Sequence, residues 1–376
     1  MNPVSLPRCQ SSAAPDVAVV LPMREQVMSG RAGAVALNVS EFGRSSTFRE
    51  RLLVFGGTER GDFLLPYRRV SAAHLQFWRR ASERYADAVA DAIEPLGCRL
   101  VEIHNRAPLF HRLARRLGGR TRLCLYLHND AQLMAGMRTP LERSALLQRG
   151  SLIYCLSGYI RDRFLAGTAG PAERVVVLPN GMCAMPMAGL VRQPTILFVG
   201  RLVPEKGVEE LFAALRRIAV ELPDWRVAII GRAPPRHRAR YRGMLADLRM
   251  VWRERLRVIE TLPHAEVMRE FAEAAITVVP SRWQEPFGRT ALEALSAGSA
   301  VIASASGGLP EIVGEAGLLL DSATPEAIAG AILSLARDPV RRTLLGQAGQ
   351  ARVAERFDIG ELSRRLDARR RVLLDG

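Results

Sequence analysis

The chain's 53 basic residues include a single lysine, Lys206, and the other 52 are arginine. It falls in residues 195–207, TILFVGRLVPEKG, which read as a buried strand, a glycine and a turn opening a helix. Ligands of open α/β sheets sit at the carboxyl ends of strands, and the first turn of a helix offers unpaired N–H groups to an anion. Arg201 and Lys206 are therefore placed for a diphosphate, although two cations on a surface loop would look the same in isolation. A second segment, 279–298, reads VPSRWQEPFGRTALEALSAG. Its strand ends at Pro280, Glu285 follows in a loop, and a helix opens near Gly288 with Arg289 and Thr290 in its first turn and Glu293 beyond. Glycine allows close backbone approach to a ligand, and carboxylates can hold sugar or ribose hydroxyls. A third loop, ASASGGLPEIV at 303–313, again follows a strand and sets two glycines before a helix-like turn. Three such loops in one half of the chain point to one shared ligand.

In the other half His128 ends the apolar run 124–128 and leads into Asn129-Asp130, a strand-end position where a satisfied core or loop histidine and a substrate contact read alike. His104, closing the run 101–104, is a second candidate; His74, His111, His237 and His264 read as ordinary side chains. After the first strand come Ser29-Gly30-Arg31-Ala32-Gly33. Gly30 and Gly33 could bring phosphates or an acceptor to the backbone, and a plain strand-to-helix turn explains them nearly as well.

The elements that must position these groups follow from periodicity. Short β-branched or apolar runs alternate with longer helix-period segments, the pattern of parallel sheets covered on both faces. Strands are expected at 17–21, 51–55, 100–104, 122–128, 152–156 and 175–178, then at 195–199, 226–230, 256–259, 276–279 and 300–303. Helices are expected notably at 72–93, 140–148, 159–166, 208–220, 236–248, 265–274 and 290–297. Residues 182–194 show no sustained period and carry proline and glycine, so they read as a linker. The 376 residues exceed what one core usually serves, which gives a first domain at 1–185, a second, ligand-binding domain at 186–357, and a last helix at 358–376 returning to the first domain; the family resemblance set out below makes the first domain the acceptor-side one.

Composition narrows the function. At 48% hydrophobic and 24% charged the chain is a folded globular protein. With no apolar run of about 18 residues and no secretory start, it is expected in the cytoplasm. Five scattered cysteines fit neither a disulfide framework nor zinc spacing. The net charge of +15 calls for anionic partners. Residues 1–190 hold 25 arginines against 15 carboxylates, and residues 191–376 hold 28 basic against 23 acidic, so the first half carries most of the excess. A basic nucleic-acid binder is disfavoured, because aromatics are only 6% and do not alternate with the basic clusters. The stretch 109–122 sets Leu109, Leu113 and Leu117 on one helical face beside Arg112, Arg115, Arg116, Arg120 and Arg122. Such a helix usually packs its apolar stripe on its own sheet; the alternative is an anionic lipid surface.

The second half resembles the donor domain of retaining family 4 glycosyltransferases, through Asn180-Gly181, Gly200-Arg201, Glu205-Lys206-Gly207, Glu285-Pro286-Phe287-Gly288 to Glu293, and Gly307-Gly308-Leu309-Pro310-Glu311. That resemblance covers about 179–357 closely and the first half loosely. It implies an α/β GT-B fold, two Rossmann-like doubly wound domains facing a central cleft, and transfer from a nucleotide-diphosphate sugar to a sugar or lipid-linked acceptor in cell-surface polysaccharide, lipopolysaccharide or glycolipid synthesis. Arg201 and Lys206 would neutralise the diphosphate, Phe287, Gly288, Arg289 and Thr290 would line the donor site, Glu293 would hold the ribose, and Glu285 and His128 would act at the transferred sugar. No cofactor and no metal are implied, because fixed cations and helix amides meet the leaving charge. Peripheral attachment to the inner face of the membrane is expected if the acceptor is a lipid. Base contacts would fall near 258–262, where Glu260-Thr261 replaces the usual glycine. A sugar-nucleotide epimerase or a phosphorylase on the same fold is the nearer alternative.

Overall fold

The computed structural model describes residues 14–27, 33–59, 61, 63, 65–71, 80–185 and 191–376. The chain divides into two compact units. The first runs to Leu156 and adds Ile160–Gly181 and Ile359–Gly376; the second comprises Ser157–Tyr159 and Met182–Asp358.

The first unit is built on seven parallel strands, β1 (Val17–Val20), β2 (Leu52–Gly56), β3 (Tyr67–Arg69), β4 (Leu100–His104), β5 (Arg122–Leu127), β6 (Leu152–Cys155) and β7 (Val175–Val177), in the order β3-β2-β1-β4-β5-β6-β7. Its described helices are α1 (Ala34–Ser45), α2 (Ala81–Ile93), α3 (Ala107–Leu117), α4 (Pro140–Arg149) and α5 (Gly158–Leu165), whose first two residues fall in the second unit. The central strands are apolar without alternation, as sheets covered on both faces require, and the edge strand β3 is YRR with two exposed arginines. β1 reads VAVV and is buried throughout. In α3 Leu109, Phe110 and Leu113 are buried, while Arg112 is bound to Asp87 and Arg116 to Asp91, both on α2. Its stripe packs inward and part of its cationic face is neutralised within the unit.

The second unit has six parallel strands, β8 (Gln193–Val199), β9 (Arg226–Ile230), β10 (Leu256–Ile259), β11 (Ala274–Val279), β12 (Ala300–Ser304) and β13 (Gly317–Leu320), ordered β10-β9-β8-β11-β12-β13. Helices α6 (Val208–Ile218), α7 (Arg238–Trp252), α8 (His264–Glu273), α9 (Arg289–Ser296), α10 (Leu309–Val313), α11 (Pro325–Arg337) and α12 (Pro339–Arg356) cover it. Phe212, Leu215, Tyr241, Trp252 and Ile332 anchor one apolar core beneath the sheet.

The last helix, α13 (Ile359–Asp375), belongs to the first unit, where Ile359, Leu362, Leu366 and Leu374 join the core formed by α1 and the sheet. It also brings charge inside. Arg370 donates twice to Glu102 on β4, at 2.8 and 2.7 Å, and Asp367 accepts from Ser46 and Thr47 at the end of α1. All three side chains are buried, so removing any one leaves a partner buried without its counterion.

Candidate functional site

In the second unit the chain leaves β8 towards β9 and β10 on one side, and later fills β11, β12 and β13 on the other. The reversal opens a crevice at the carboxyl ends of β8 and β11, the place where doubly wound sheets bind ligands. The three loops singled out by sequence meet there. The carbonyl of Glu205 accepts from the N–H groups of Arg282 and Trp283. Lys206 Nζ pairs with Glu285 Oε1, and Ser281 Oγ donates to the same oxygen at 2.6 Å. The ammonium also lies 5.6 Å from the centre of the Trp283 ring. Glu285 is 7% exposed and Lys206 25%, so a buried carboxylate faces a cation still open to solvent. Gly207 makes the approach possible: at φ 65° it adopts a left-handed conformation, and a Cβ there would lie 1.8 Å from the carbonyl oxygen of Pro280.

The third loop clamps the second. Ser304 Oγ and Ser306 Oγ donate to the carbonyls of Ser281 and Trp283, Gly308 N–H to that of Glu285, and Gly307 N–H to the Gln284 side chain. At Gly307, φ 60°, a Cβ would meet the Glu285 carbonyl oxygen at 2.2 Å, so only glycine lets the two loops pack this closely. Glu311 accepts from the N–H groups of Gly158 and Tyr159.

Gly288, at φ 104°, precedes α9. Glu293 on that helix receives Arg289 Nε at 2.9 Å and shares 3.0 Å with His264 Nε2. Burial pushes the Glu293 carboxyl up, but His264 and Arg289 outweigh it and hold it below its ordinary value. An ionised carboxylate is therefore ready to accept hydroxyl donors. Arg201 is exposed just past β8, Thr290 is half-buried, and Phe287 is buried with its ring edge-on to Phe357, a packing role. His264 is the residue that sequence reasoning missed. It sits 29 positions before Glu293 with no local spacing to mark it, and only its place just past the end of β10 signals a ligand edge.

In the first unit His128 follows β5 and is buried, its Nε2 2.9 Å from His104 Nδ1, so one ring donates and the other accepts. Its backbone N–H donates to Asn105 Oδ1, and Asn105 holds φ 63° just past β4. Burial lowers His128 to about 4, and burial together with the charges of His128 and Arg370 lowers His104 further below its usual range. The site therefore presents neutral imidazoles that hydrogen-bond without carrying charge. Gly33 opens α1, and a Cβ on it would lie 2.1 Å from Glu25 Oε1. That oxygen accepts from the N–H of Ala36, so a carboxylate of this chain caps the helix where a bound anion was one expectation. Gly30 lies outside the described residues.

Residues 189–352 match the family model of the glycosyl transferases group 1. A D-inositol 3-phosphate glycosyltransferase of Corynebacterium glutamicum is 37% identical over 158 residues, covering 40% of this chain and 37% of that protein. A GDP-mannose-dependent monoacylated alpha-(1-6)-phosphatidylinositol monomannoside mannosyltransferase of the same species is 31% identical over 43% of this chain and 42% of its own length. The match thus spans less than half the length of these relatives. Two solved structures are similar over almost the whole chain. HepE of Anabaena in complex with UDP and glucose gives a TM-score of 0.75 at 18% identity, covering 94% of this chain and 98% of the other. Sucrose-phosphate synthase of Thermosynechococcus elongatus gives 0.78 at 21% identity, covering 96% and 99%. Two parallel-sheet, Rossmann-like units of seven and six strands are thereby shown to form the GT-B fold, with the glycosyl transferases group 1 match lying in residues 189–352.

Proposed function

We propose that this protein is a glycosyltransferase that moves a sugar from a nucleotide-diphosphate donor to an acceptor with retention of configuration, in the manner of family 4. The observation that carries the reading is the convergence of Lys206, Ser281 and Glu285 at the β8/β11 crevice, within the region that matches a glycosyltransferase family. Arg201 and Lys206 meet the diphosphate, and the amides of Gly288, Arg289 and Thr290 add helix N-terminal donors. Preorganised positive groups stabilise the charge that develops on the leaving diphosphate, and a divalent cation is not needed for that step. Glu293, ionised and steadied by His264 and Arg289, holds the ribose hydroxyls. Glu285 contacts the transferred sugar, and neutral His128 serves as a hydrogen-bonding group for a sugar hydroxyl.

The acceptor belongs to cell-surface polysaccharide, lipopolysaccharide or glycolipid synthesis, and the protein works in the cytoplasm, peripherally at the inner membrane face. Among the described residues no helix is long and apolar enough to cross a membrane. Thermal unfolding in the presence of UDP- and GDP-sugars tests the donor assignment, since a ligand at 100 times its Kd stabilises by about 2.7 kcal/mol. With the stabilising sugar in hand, turnover in excess chelator and the anomeric configuration of the product follow. No stabilisation by any nucleotide sugar refutes the reading; loss of turnover in chelator, restored by magnesium, refutes the metal-free mechanism; an epimerised donor or phosphate-dependent turnover assigns another reaction.

A further inference from the structure

Lys206, the only lysine of the chain, stands between two unlike partners. On one side is the carboxylate of Glu285, which also accepts from Ser281 Oγ. On the other is the indole of Trp283, whose ring centre lies 5.6 Å from the ammonium. A cation within about 6 Å of an aromatic centre is drawn to the negative face of the ring, and tryptophan offers the strongest such face. The lysine side chain is still 25% exposed, which leaves it a direction open to a ligand.

The two contacts act differently on the charge. A carboxylate holds the ammonium and neutralises it at the same time. An aromatic face holds it and leaves the full positive charge for an incoming anion. Glu285, moreover, is proposed to contact the transferred sugar, and a carboxylate oxygen given to hydroxyls is no longer wholly available to Lys206. The ring face takes no part in that exchange, so its hold on the ammonium persists.

The backbone sets this ring against the lysine. Trp283 N–H donates at 3.3 Å to the carbonyl of Glu205, the residue before Lys206, and the Trp283 carbonyl accepts from Ser306 Oγ at 2.5 Å. The neighbouring Arg282 pairs with Glu210 on α6 at 2.7 Å. The placement has a cost, because Trp283 Nε1 is buried with no hydrogen-bond partner among the described residues. A buried N–H left unpaired is unfavourable, and phenylalanine at this position would not carry one. Packing alone therefore does not account for an indole here, whereas a need for its ring face does.

We infer that Trp283 is a positioning residue of the donor site, its indole face aiming the Lys206 ammonium at the diphosphate without neutralising it. The inference rests on the glycosyltransferase reading and adds to it a residue that acts through Lys206. A cation held in place before the ligand arrives loses little side-chain freedom on binding, so releasing it weakens the nucleoside diphosphate.

The test measures UDP and GDP binding to the full chain by calorimetry. Trp283→Leu is expected to raise Kd about three- to tenfold, and Trp283→Phe, which keeps a ring face, about twofold or less. In a Lys206→Ala background the indole has no ammonium to aim, so adding Trp283→Leu is expected to leave the already weakened Kd within about twofold. A tryptophan that merely fills space would lower affinity by the same factor in both backgrounds, and that result overturns the inference. Wild-type affinity in Trp283→Leu, or a phenylalanine variant no better than the leucine one, overturns it as well. A wild type that binds neither UDP nor GDP defeats the glycosyltransferase reading itself. Binding that is lost in Lys206→Ala yet untouched in Trp283→Leu defeats only the role of Trp283.

Discussion

Replacing Lys206 separates two tasks that one ammonium performs. As a counterion it pairs with the buried Glu285 side chain, where both Lys206 and Ser281 act on the same carboxylate oxygen. Stranding a buried charge costs about 3–5 kcal/mol when nothing else compensates. Here Ser281 still donates and the lysine side chain keeps a quarter of its surface in water, so Lys206→Ala is expected to cost about 1–3 kcal/mol of stability. In the ligand role proposed for it, the ammonium would give the diphosphate a charge-assisted contact of about 1.5–3 kcal/mol, or roughly a 10- to 150-fold rise in Kd on its removal. The double variant Lys206→Ala/Glu285→Gln resolves the two. With no carboxylate left to strand, stability returns to within about 1 kcal/mol of wild type, whereas the affinity for UDP or GDP stays low, because a nucleoside diphosphate lacks the sugar that Glu285 is proposed to contact. Denaturant unfolding measures the first quantity and calorimetry the second. A double variant that binds the nucleoside diphosphate as well as wild type would refute the reasoning, because Lys206 would then be no more than the partner of Glu285.

Three further outcomes follow from charge balance. The lowered Glu293 carboxyl contributes stability that is present above its unfolded pKa and lost as pH falls through its folded value, so His264→Ala, which removes a lowering contact and raises the folded value, should shrink that acid loss and end it at a higher pH in unfolding curves between pH 6 and 3. His128 runs the other way: unfolded imidazole binds its proton near 6.5 and the buried ring only near 4, so stability falls as pH drops between these values, by up to about 1.4 kcal/mol per unit, and urea midpoints for His128→Gln should flatten that limb. Arg370→Leu strands Glu102 and Asp367 in the core and is expected to destabilise the first unit by about 3–5 kcal/mol, with Glu102→Leu in the same chain recovering much of the loss.

The buried strands were legible because a sheet covered on both faces writes its strands as continuous apolar runs. β4, β9 and β10 lie where periodicity puts them, at 100–104, 226–230 and 256–259. β3 and β13 were not read. β3 is a three-residue edge strand, YRR, with two exposed arginines, and β13 is a short, half-buried edge strand of a glycine and three leucines with no β-branched residue to mark it as a strand. Helix α1 was also missed; its stripe is broken by Asn38 and Gly43, both buried, and Asn38 spends its amide on Asn180 at 2.5 Å. The loops of the second unit were readable because glycine is needed where backbones touch, as at Gly207 and Gly307. What sequence could not give was contact across long separations. The pairing of Glu102 with Arg370 spans 268 positions, and that of His264 with Glu293 joins two helices through side chains alone.

That same long-range pairing explains how the polypeptide is divided. The chain leaves the first unit after Gly181, builds the whole second unit, and returns at Ile359. Where it enters and leaves the second unit the two segments lie side by side: Met182 N–H donates to the Phe357 carbonyl, and Met182 bridges Asp358. A domain whose ends meet can be inserted without stretching its host. The second unit therefore closes its own sheet, core and three-loop site using residues between 157 and 358 alone. The first unit instead needs its last 18 residues, because α13 supplies both the apolar cover of β4 and β5 and the only guanidinium that Glu102 contacts among the described residues. Polar groups under a helix are costly unless every partner arrives, and here they arrive from the far end of the chain. The charge cluster thus fixes the register of α13 against the sheet more sharply than leucines could, since sliding the helix by one turn would part Arg370 from Glu102 and Asp367 from Ser46 and Thr47.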